Sequence, residues 1–278
     1  MAGLFFDIGG TSIRAAFCQD GKSLGEPKIL ETPKDFNEGI LLLKKTAEEL
    51  SGGKKIQSIV VGIAGAFDRE KTQLLASPNL PGWVGKPLKV RLYQEFGSLV
   101  FIENDAALAG LGEAVYGAGK GKEIVAYMTI STGVGGARII KGKIDVSAKG
   151  FEPGHQIIDA GAVWQGEYDV LTLENAISGT AFEKRFGKKP YEITDEKIWD
   201  EAARILAIGL NNSMVYWSPD IVVLGGSMMK EVGIPIERIR FHLKNILKIF
   251  REPPPIEKAV LGDAAGLYGG LAFLNPSG

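Results

Sequence analysis

The sequence contains one cysteine, Cys18, among its 278 residues. A single thiol can form neither an intramolecular disulfide framework nor a cysteine-rich zinc cluster, so these two classes of small stabilised domain are excluded. A chain without disulfides suits a reducing compartment. We therefore expect a cytoplasmic protein.

Long apolar runs are also missing. No apolar stretch approaches the roughly 20 residues of a membrane span, and Met1-Ala2-Gly3 lacks the basic segment that opens a secretory signal. Neither sign of charge is in excess, since 32 basic and 33 acidic side chains give a net charge of −1. The sequence thus gives no electrostatic reason to expect a nucleic acid or an anionic membrane as partner.

The two commonest phosphate-binding motifs are absent. The segment 119–122 (Gly-Lys-Gly-Lys) precedes a strand pattern and is followed by Glu123, so it is not a Walker loop, and no Gly-x-Gly-x-x-Gly opens a helical pattern. P-loop and Rossmann nucleotide sites are therefore disfavoured. The length and the 45% hydrophobic content still allow a sizeable core and two lobes of ordinary domain size.

A glycine turn near the start is the most informative feature that is present. The apolar run from Leu4 ends in Asp7, the turn Gly9-Gly10-Thr11 follows, and an extended pattern resumes at Ser12. Adjacent glycines let backbone amides approach an anion, the threonine adds a hydroxyl donor, and the aspartate can hold a hydrated cation. The pattern predicts a site for a nucleotide phosphate with Mg²⁺, although an ordinary hairpin has the same local sequence.

The same pattern starts again in the second half of the chain. A strand pattern over 125–130 leads into a turn at 131–136 that contains Thr132 and Gly133, and a returning strand follows. Two such turns would hold a triphosphate from both sides. A third glycine pair, Gly225-Gly226, ends a later strand and leaves room for a flat group such as adenine.

Strand and helix patterns alternate through both halves, which predicts an α/β fold of duplicated lobes around a cleft. We expect a small N-terminal lobe over 1–108 and a large C-terminal lobe over 109–263. A terminal helix within 264–278 is expected to pack back against the first lobe.

Asn104-Asp105 follows the predicted strand 99–102, where α/β folds place reactive groups. An aspartate there can accept a hydroxyl proton as the oxygen attacks a phosphoryl group, and the amide can orient a second hydroxyl. The alternative is a helix N-cap, which both residue types favour and which is worth about 1 kcal/mol.

Four further polar residues could bind a polyol, because carboxylate, amide and imidazole groups supply the directional bonds that a sugar needs. They are Asn79, Glu152, His155 and Glu174. Each also has a structural interpretation: a turn residue for the asparagine, a solvated helix face for Glu174 and a loop position for the histidine.

Taken together, these motifs resemble the ROK family of sugar kinases and related transcriptional repressors, along nearly the whole chain. The resemblance implies the two-lobed actin/hexokinase/Hsp70-type ATPase fold, with ribonuclease H-like lobes and an interlobe cleft. The segments that carry it are 7–11, 77–83, 103–106, 131–136, 152–155, 174–179 and 223–226.

The resemblance also implies residue roles. Asp105 would be the general base, and Asp7 would hold Mg²⁺ through water. The reaction would transfer the γ-phosphate of ATP to a hexose hydroxyl, the one on C6 of glucose or a related hexose. A homodimer is implied as well. The hexose ligands would be Asn79, Asn104, Asp105, Glu152, His155 and Glu174, and the nucleotide contacts would be Asp7, Gly9, Gly10, Thr11, Thr132, Gly133, Gly225 and Gly226.

One departure from the family pattern concerns zinc. Members usually carry three cysteines that bind structural zinc together with a histidine at the position of His155, whereas 160–172 contains no cysteine here. We therefore predict no zinc, and a loop shaped by packing of Trp164 and Tyr168. This leaves the placing of Glu152 and Glu174 open.

Two other functions compete with the kinase. One is a sugar-sensing or sugar-binding regulator without kinase activity; only six residues precede Asp7, which leaves no room for a DNA-binding arm in this sequence. The other is an inactive sugar-binding protein, against which the retention of Asp7 and Asp105 argues.

Overall fold

The fold contains two larger sheets with helices on their faces and two small two-stranded sheets, as seen in a computed structural model that describes residues 2–159 and 170–275. The strands are β1 (Gly3–Ile8), β2 (Ser12–Cys18), β3 (Lys28–Glu31), β4 (Ser58–Ile63), β5 (Ala66–Phe67), β6 (Leu74–Ala76), β7 (Leu99–Asn104), β8 (Ile124–Ile130), β9 (Val134–Ile140), β10 (Lys143–Ile144), β11 (Ile157–Asp159), β12 (Leu171–Thr172), β13 (Ile221–Gly225) and β14 (Ile256–Lys258). The helices are α1 (Phe36–Ser51), α2 (Leu88–Phe96), α3 (Asp105–Val115), α4 (Leu173–Ile177), α5 (Gly179–Phe186), α6 (Glu196–Trp217), α7 (Ile236–Ile246) and α8 (Ala265–Leu274). No helix in the described ranges has the length and apolar character needed to cross a membrane.

The chain divides into two compact units. The first comprises Met1–Gly117, Gly142–Gly150 and Asp263–Gly278, and the second comprises Ala118–Lys141 and Phe151–Gly262. The first unit thus extends past the predicted boundary at residue 108, which falls inside α3. The reason is the crossing of α3 and α8, where a Cβ on Gly269 would lie 1.8 Å from the carbonyl oxygen of Leu108. Two backbones this close pack as one body.

The first sheet has the order β3-β2-β1-β4-β7, with β2 antiparallel to β1 and β3, and with β4 and β7 parallel to the strands beside them. Side chains of β1 alternate between two buried faces. Leu4 and Phe6 pack with Ile40 of α1, whereas Phe5 packs with Leu271 of α8. Burial on both faces explains the continuous apolar run of β1.

In the second unit, β9, β8, β13 and β14 lie side by side, and β9 is antiparallel to β8 while β13 is parallel to both β8 and β14. Helices α6 and α7 bury one face of this sheet, with Leu210 and Leu243 in the same core as Met128 and Leu224. Each unit therefore begins with a hairpin whose first strand pairs in parallel with a later strand. This repeat places one glycine turn at an equivalent point of each unit.

Candidate active site

Hydrogen bonds to its carbonyl groups fix the backbone of the first glycine turn. The Gly9 amide donates to the Ser12 carbonyl at 3.0 Å, the Thr32 hydroxyl donates to the Gly9 carbonyl at 2.7 Å, and the Lys34 ammonium donates to the Gly10 carbonyl at 2.7 Å. Among the described residues, no protein acceptor pairs with the N–H groups of Gly10 or Thr11. These two amides are available to an anion, as the sequence predicts.

The predicted sugar ligand Asn79 lies against this turn. A Cβ on Gly10 would be 2.5 Å from the Asn79 Cβ, so only glycine permits the approach. The Asn79 loop is anchored just beyond by buried Trp83, whose indole N–H donates to the Pro33 carbonyl at 3.1 Å and whose ring meets Phe36 edge-on. The turn and the candidate sugar ligand are therefore neighbours within one unit.

Asp7 lies opposite Arg14 across the β1–β2 hairpin. An Arg14 guanidinium nitrogen is 4.0 Å from the Asp7 carboxylate, and the other terminal nitrogen is 3.5 Å from Asp263, at the turn before α8. Burial, and then the negative charge of Asp105, raise the pKa of Asp7 to about 7, although Arg14 opposes the rise. A cation bound at this carboxylate would favour its ionised form.

Asn104 and Asp105 make different hydrogen bonds at the start of α3. The Asn104 side chain caps α3 by accepting from the Ala107 amide at 3.1 Å, while the Asp105 carboxylate accepts from the Ala106 amide at 2.8 Å. Burial raises the pKa of Asp105, and the Ala106 amide offsets part of the rise. A carboxylate with a raised pKa at the end of a strand is suited to general-base chemistry.

Gly62 lies next to both Asp7 and Asp105. It pairs with Asp7 in the parallel register of β1 and β4, and a Cβ there would lie 3.7 Å from the Asp7 Oδ1 and 3.6 Å from the Asp105 Cα. The sequence analysis missed Gly62, Arg14 and Asp263. A glycine inside an apolar strand pattern signals a close approach and could have identified the first of them.

The second glycine turn is held in the same manner. The Ser131 carbonyl accepts from the Gly179 amide at 2.7 Å, and the Thr132 carbonyl accepts from the Thr180 amide at 3.3 Å and its hydroxyl at 2.9 Å. Helix α5 begins at these donors. In the part of the chain that the structure describes, no protein acceptor pairs with the N–H groups of Thr132 or Gly133.

Glu174 reaches this second turn. Its carboxylate accepts from the Val134 amide at 2.7 Å, and a Cβ on Gly133 would lie 2.6 Å from the same oxygen. The short helix Pro153–His155 lies against the same strand, because a Cβ on Gly154 would be 2.2 Å from the Val134 carbonyl oxygen. The segments of Glu152, His155 and Glu174 are thus joined through Val134, and both Glu152 and His155 are exposed.

The third glycine pair lies against the second turn. Gly225 pairs with Thr129 in the parallel register, and Gly226 has a φ of +94° with its backbone against Ile130, where a Cβ would be 2.1 Å from the carbonyl oxygen. The hydroxyls of Ser227 and Ser131 are 3.1 Å apart. Only glycine fits at 226, so the predicted adenosine segment and the second phosphate turn are neighbours.

The residues beside the first glycine turn fit Mg²⁺. Mg²⁺ keeps most of its water and uses one or two carboxylates together with substrate phosphates, and Asp7 lies beside the first turn with Asp105 and Asp263 adding negative charge. Within the described ranges, no group of three or more His, Cys, Asp or Glu side chains is arranged around a metal position. Trp164 and Tyr168 of the predicted loop lie outside these ranges.

Comparisons with known proteins agree with the resemblance seen in the sequence. The family model of the ROK family matches residues 4–276. The chain is 29% identical to an N-acetyl-D-glucosamine kinase of Escherichia fergusonii, over 98% of both sequences.

Two solved structures share the fold. The ROK hexokinase of Thermus thermophilus has a TM-score of 0.84 and 29% identity, covering 98% of this chain and 97% of that one. A ROK family glucokinase of Streptomyces griseus, solved with glucose and AMPPNP, has a TM-score of 0.80 and 25% identity over the whole of both chains. The predicted α/β fold of the hexokinase type is confirmed.

Proposed function

Because this chain belongs to the ROK family, we propose that it is an ATP-dependent sugar kinase that transfers the γ-phosphate of ATP to a hexose hydroxyl, the one on C6 of glucose or a related hexose. The main structural support for the proposal is the location and the raised pKa of Asp105. Its half-buried carboxylate has a raised pKa and follows β7 in the unit that carries the first glycine turn, and Gly62 of the neighbouring strand lies next to both Asp105 and Asp7. The sugar-kinase names of relatives that match over nearly the full chain support the same reaction class.

In the proposed reaction, Asp105 accepts the proton of the hexose hydroxyl as that oxygen attacks the γ-phosphorus. The new oxygen–phosphorus bond forms while the bond from the γ-phosphorus to the β,γ-bridging oxygen breaks, and ADP leaves with the bonding pair. A raised pKa strengthens Asp105 as a base, provided that it is ionised when the hexose arrives. Asn104, fixed by its cap bond, orients a second hydroxyl.

The nucleotide contacts are assigned to the free amides of both turns. Amides of Gly10 and Thr11 in the first unit, and of Thr132 and Gly133 in the second, would donate to phosphate oxygens. Asp7 would hold Mg²⁺ through water. When bound, Mg²⁺ neutralises charge that develops on the transferring phosphoryl group. Gly225 and Gly226 would border the adenosine.

The hexose contacts are assigned to Asn79 and Asn104 in the first unit and to Glu152, His155 and Glu174 in the second. The Glu174 carboxylate already accepts from the Val134 amide, so it would bind the sugar with its remaining acceptor capacity. The same bond ties a sugar ligand to the second phosphate turn. Selection among hexoses then depends on one or two hydrogen bonds.

The test is ADP release measured with glucose, mannose, fructose, N-acetylglucosamine and N-acetylmannosamine, each with and without Mg²⁺. We expect Mg²⁺-dependent release with at least one sugar, and the best kcat/KM identifies the acceptor. Sugar binding by calorimetry without ADP release from any of them would instead favour the sugar-sensing alternative. We also propose a homodimer, which light scattering would show as twice the mass of one chain.

A further inference from the structure

A lysine in an unfavourable backbone conformation contacts the buried acid that precedes the candidate base. Lys71 has a φ of +51°, in the left-handed region that favours glycine. Its ammonium lies 2.5 Å from the carboxylate of Glu103, whose side chain is 8% exposed. A long cationic residue held at such a position suggests that the side chain is used, because glycine would relieve the backbone.

Glu103 connects Lys71 to the end of β7. Its second carboxylate oxygen accepts from the Asn104 amide at 2.9 Å, and the Asn104 side chain accepts from Ala107 and donates to the Gly65 carbonyl at 3.4 Å. Asp105 follows directly. The backbone that carries the candidate base is therefore tied to a charge pair on one side and to a helix cap on the other.

The loop that presents Lys71 is itself ordered. The Asp68 carboxylate accepts from the Thr72 amide at 2.6 Å, from the Thr72 hydroxyl and from the Gln73 amide at 3.3 Å. The Lys71 amide donates to the Asp68 carbonyl at 3.0 Å, and the Lys89 amide, in α2, donates to the Thr72 carbonyl at 3.1 Å. The loop is thus ordered by hydrogen bonds that do not involve the Lys71–Glu103 ion pair.

We infer that Lys71 is a positioning residue, which acts through Glu103 to fix the backbone of Asn104 and Asp105 for phosphoryl transfer. The inference rests on the proposed function for its kinetic consequence only. Removal of the ammonium leaves a buried carboxylate without its cation, so Glu103 can turn toward water and release the Asn104 amide. A base displaced by a fraction of an ångström loses much of its rate.

Three variants test this, with a matched control in the other unit. Lys71→Gly removes the ammonium and relieves the backbone, Lys71→Arg keeps a cation, and Glu103→Gln removes the partner charge. Lys141 is the control, because it also has a positive φ (+50°), is exposed, and forms no ion pair within the described part of the chain. Lys141→Gly therefore makes the same change of residue without touching Glu103.

The kinetic readout is kcat per folded molecule, with KM for each substrate. For Lys71→Gly we expect kcat to fall on the order of tenfold and the hexose KM to rise, with the KM for Mg·ATP within about twofold. Lys71→Arg should keep most of the native kcat, and Lys141→Gly should leave kcat and both KM values unchanged. The double variant Lys71→Gly/Glu103→Gln should lose no more kcat than the more damaging of the two single variants. Unchanged kcat in Lys71→Gly, or a loss fully accounted for by the unfolded fraction, would overturn the inference.

Amide hydrogen exchange on the unliganded protein gives a readout independent of activity. In Lys71→Gly, exchange at Asn104 and Ala107 should rise more than exchange at the β1 amides, and Lys71→Arg should restore it. An equal rise throughout the first unit would overturn the positioning role. If the native protein released no ADP with any sugar, the proposed function would fail, and the exchange data would still decide this inference.

Discussion

Each of the two glycine turns joins the strands of an antiparallel hairpin, but the charges beside the two turns differ. In both, neighbouring donors bind carbonyl groups of the turn, and two consecutive amides (Gly10 and Thr11, or Thr132 and Gly133) have no protein acceptor among the described residues. In the first unit the strands at the turn carry the cross-strand pair Asp7 and Arg14, whereas the corresponding pair in the second unit is Thr129 and Gly135. The second unit therefore repeats the glycine turn and not the charged pair beside it.

A glycine in the adjacent parallel strand is kept in both units. Gly62 pairs with Asp7, and Gly225 pairs with Thr129. The comparison indicates that space beside the turn is needed in both units, while a carboxylate is needed in one. Substitutions beside the first turn should therefore impair the charge-dependent part of the reaction. Equivalent substitutions beside the second turn should have little effect on it.

The largest expected effect is that of Asp105→Asn. Loss of a general base costs about 10²–10⁴-fold in rate, so kcat should fall by about 10³-fold in assays of ADP release with the best hexose. The amide keeps the size of the side chain, and calorimetry should still detect hexose binding. Turnover at the native rate would show that Asp105 is not the base.

A direct test of the comparison pairs Asp7→Asn with Thr129→Val. The first change removes the carboxylate beside the first turn, and kcat/KM for Mg·ATP should fall about 100-fold, since charge neutralisation at phosphate is lost. The second removes only a hydroxyl at the equivalent point, and a change below about threefold is expected. An equal fall in kcat/KM in the two variants would contradict the proposed difference between the turns.

Alanine at the turn glycines sharpens the comparison further. In Gly10→Ala the new Cβ would overlap the Asn79 Cβ at 2.5 Å, whereas in Gly133→Ala it would meet the flexible end of Glu174 at 2.6 Å. The hexose KM should therefore rise more in Gly10→Ala, by on the order of tenfold, because a backbone-linked atom cannot move aside as a carboxylate can. Steady-state kinetics against hexose measures both, and a larger effect of Gly133→Ala would contradict the assignment of Asn79.

The remaining prediction concerns stability. The folded pKa of Asp7 is raised to about 7, above its unfolded value, so its contribution to stability is complete below about pH 4 and is lost as the pH rises through 7. Without Mg²⁺, the free energy of unfolding should fall from pH 5 to pH 8 by about 3 kcal/mol through this group, because it falls by about 1.4 kcal/mol per pH unit up to the folded pKa and about two such units lie above pH 5. Urea denaturation at the two pH values should show a smaller fall in Asp7→Asn. An identical fall in that variant would assign the pH dependence to other groups.

Local features of the structure followed well from the sequence. The helical spacing of apolar residues after Asp35, with Gly52-Gly53 as a stop signal, predicts a helix. It is observed over Phe36–Ser51, with Asp35 as its N-cap and Gly52 in the left-handed conformation at its end. The glycine turns also lie where their strand–turn–strand patterns predict. These features depend on neighbours in the chain, which the sequence shows directly.

The ion pairs of Arg14 and Lys71 could not be predicted from the sequence. Asp263 contacts Arg14 from the far end of the chain, and Lys71 reaches Glu103 across 32 residues. No periodicity or turn chemistry relates these positions. The positive φ of Lys71 also contradicts local preference, since the surrounding loop and the buried carboxylate hold it there.

Residue types at short spacings along the chain were enough to predict the family, the α/β fold class and the glycine turns. The partners of the acidic side chains, and the rise in the pKa values of Asp7 and Asp105, became known from the folded structure alone. Those properties depend on burial and on charges brought together by folding, and both act over distances in space that the order of residues does not encode.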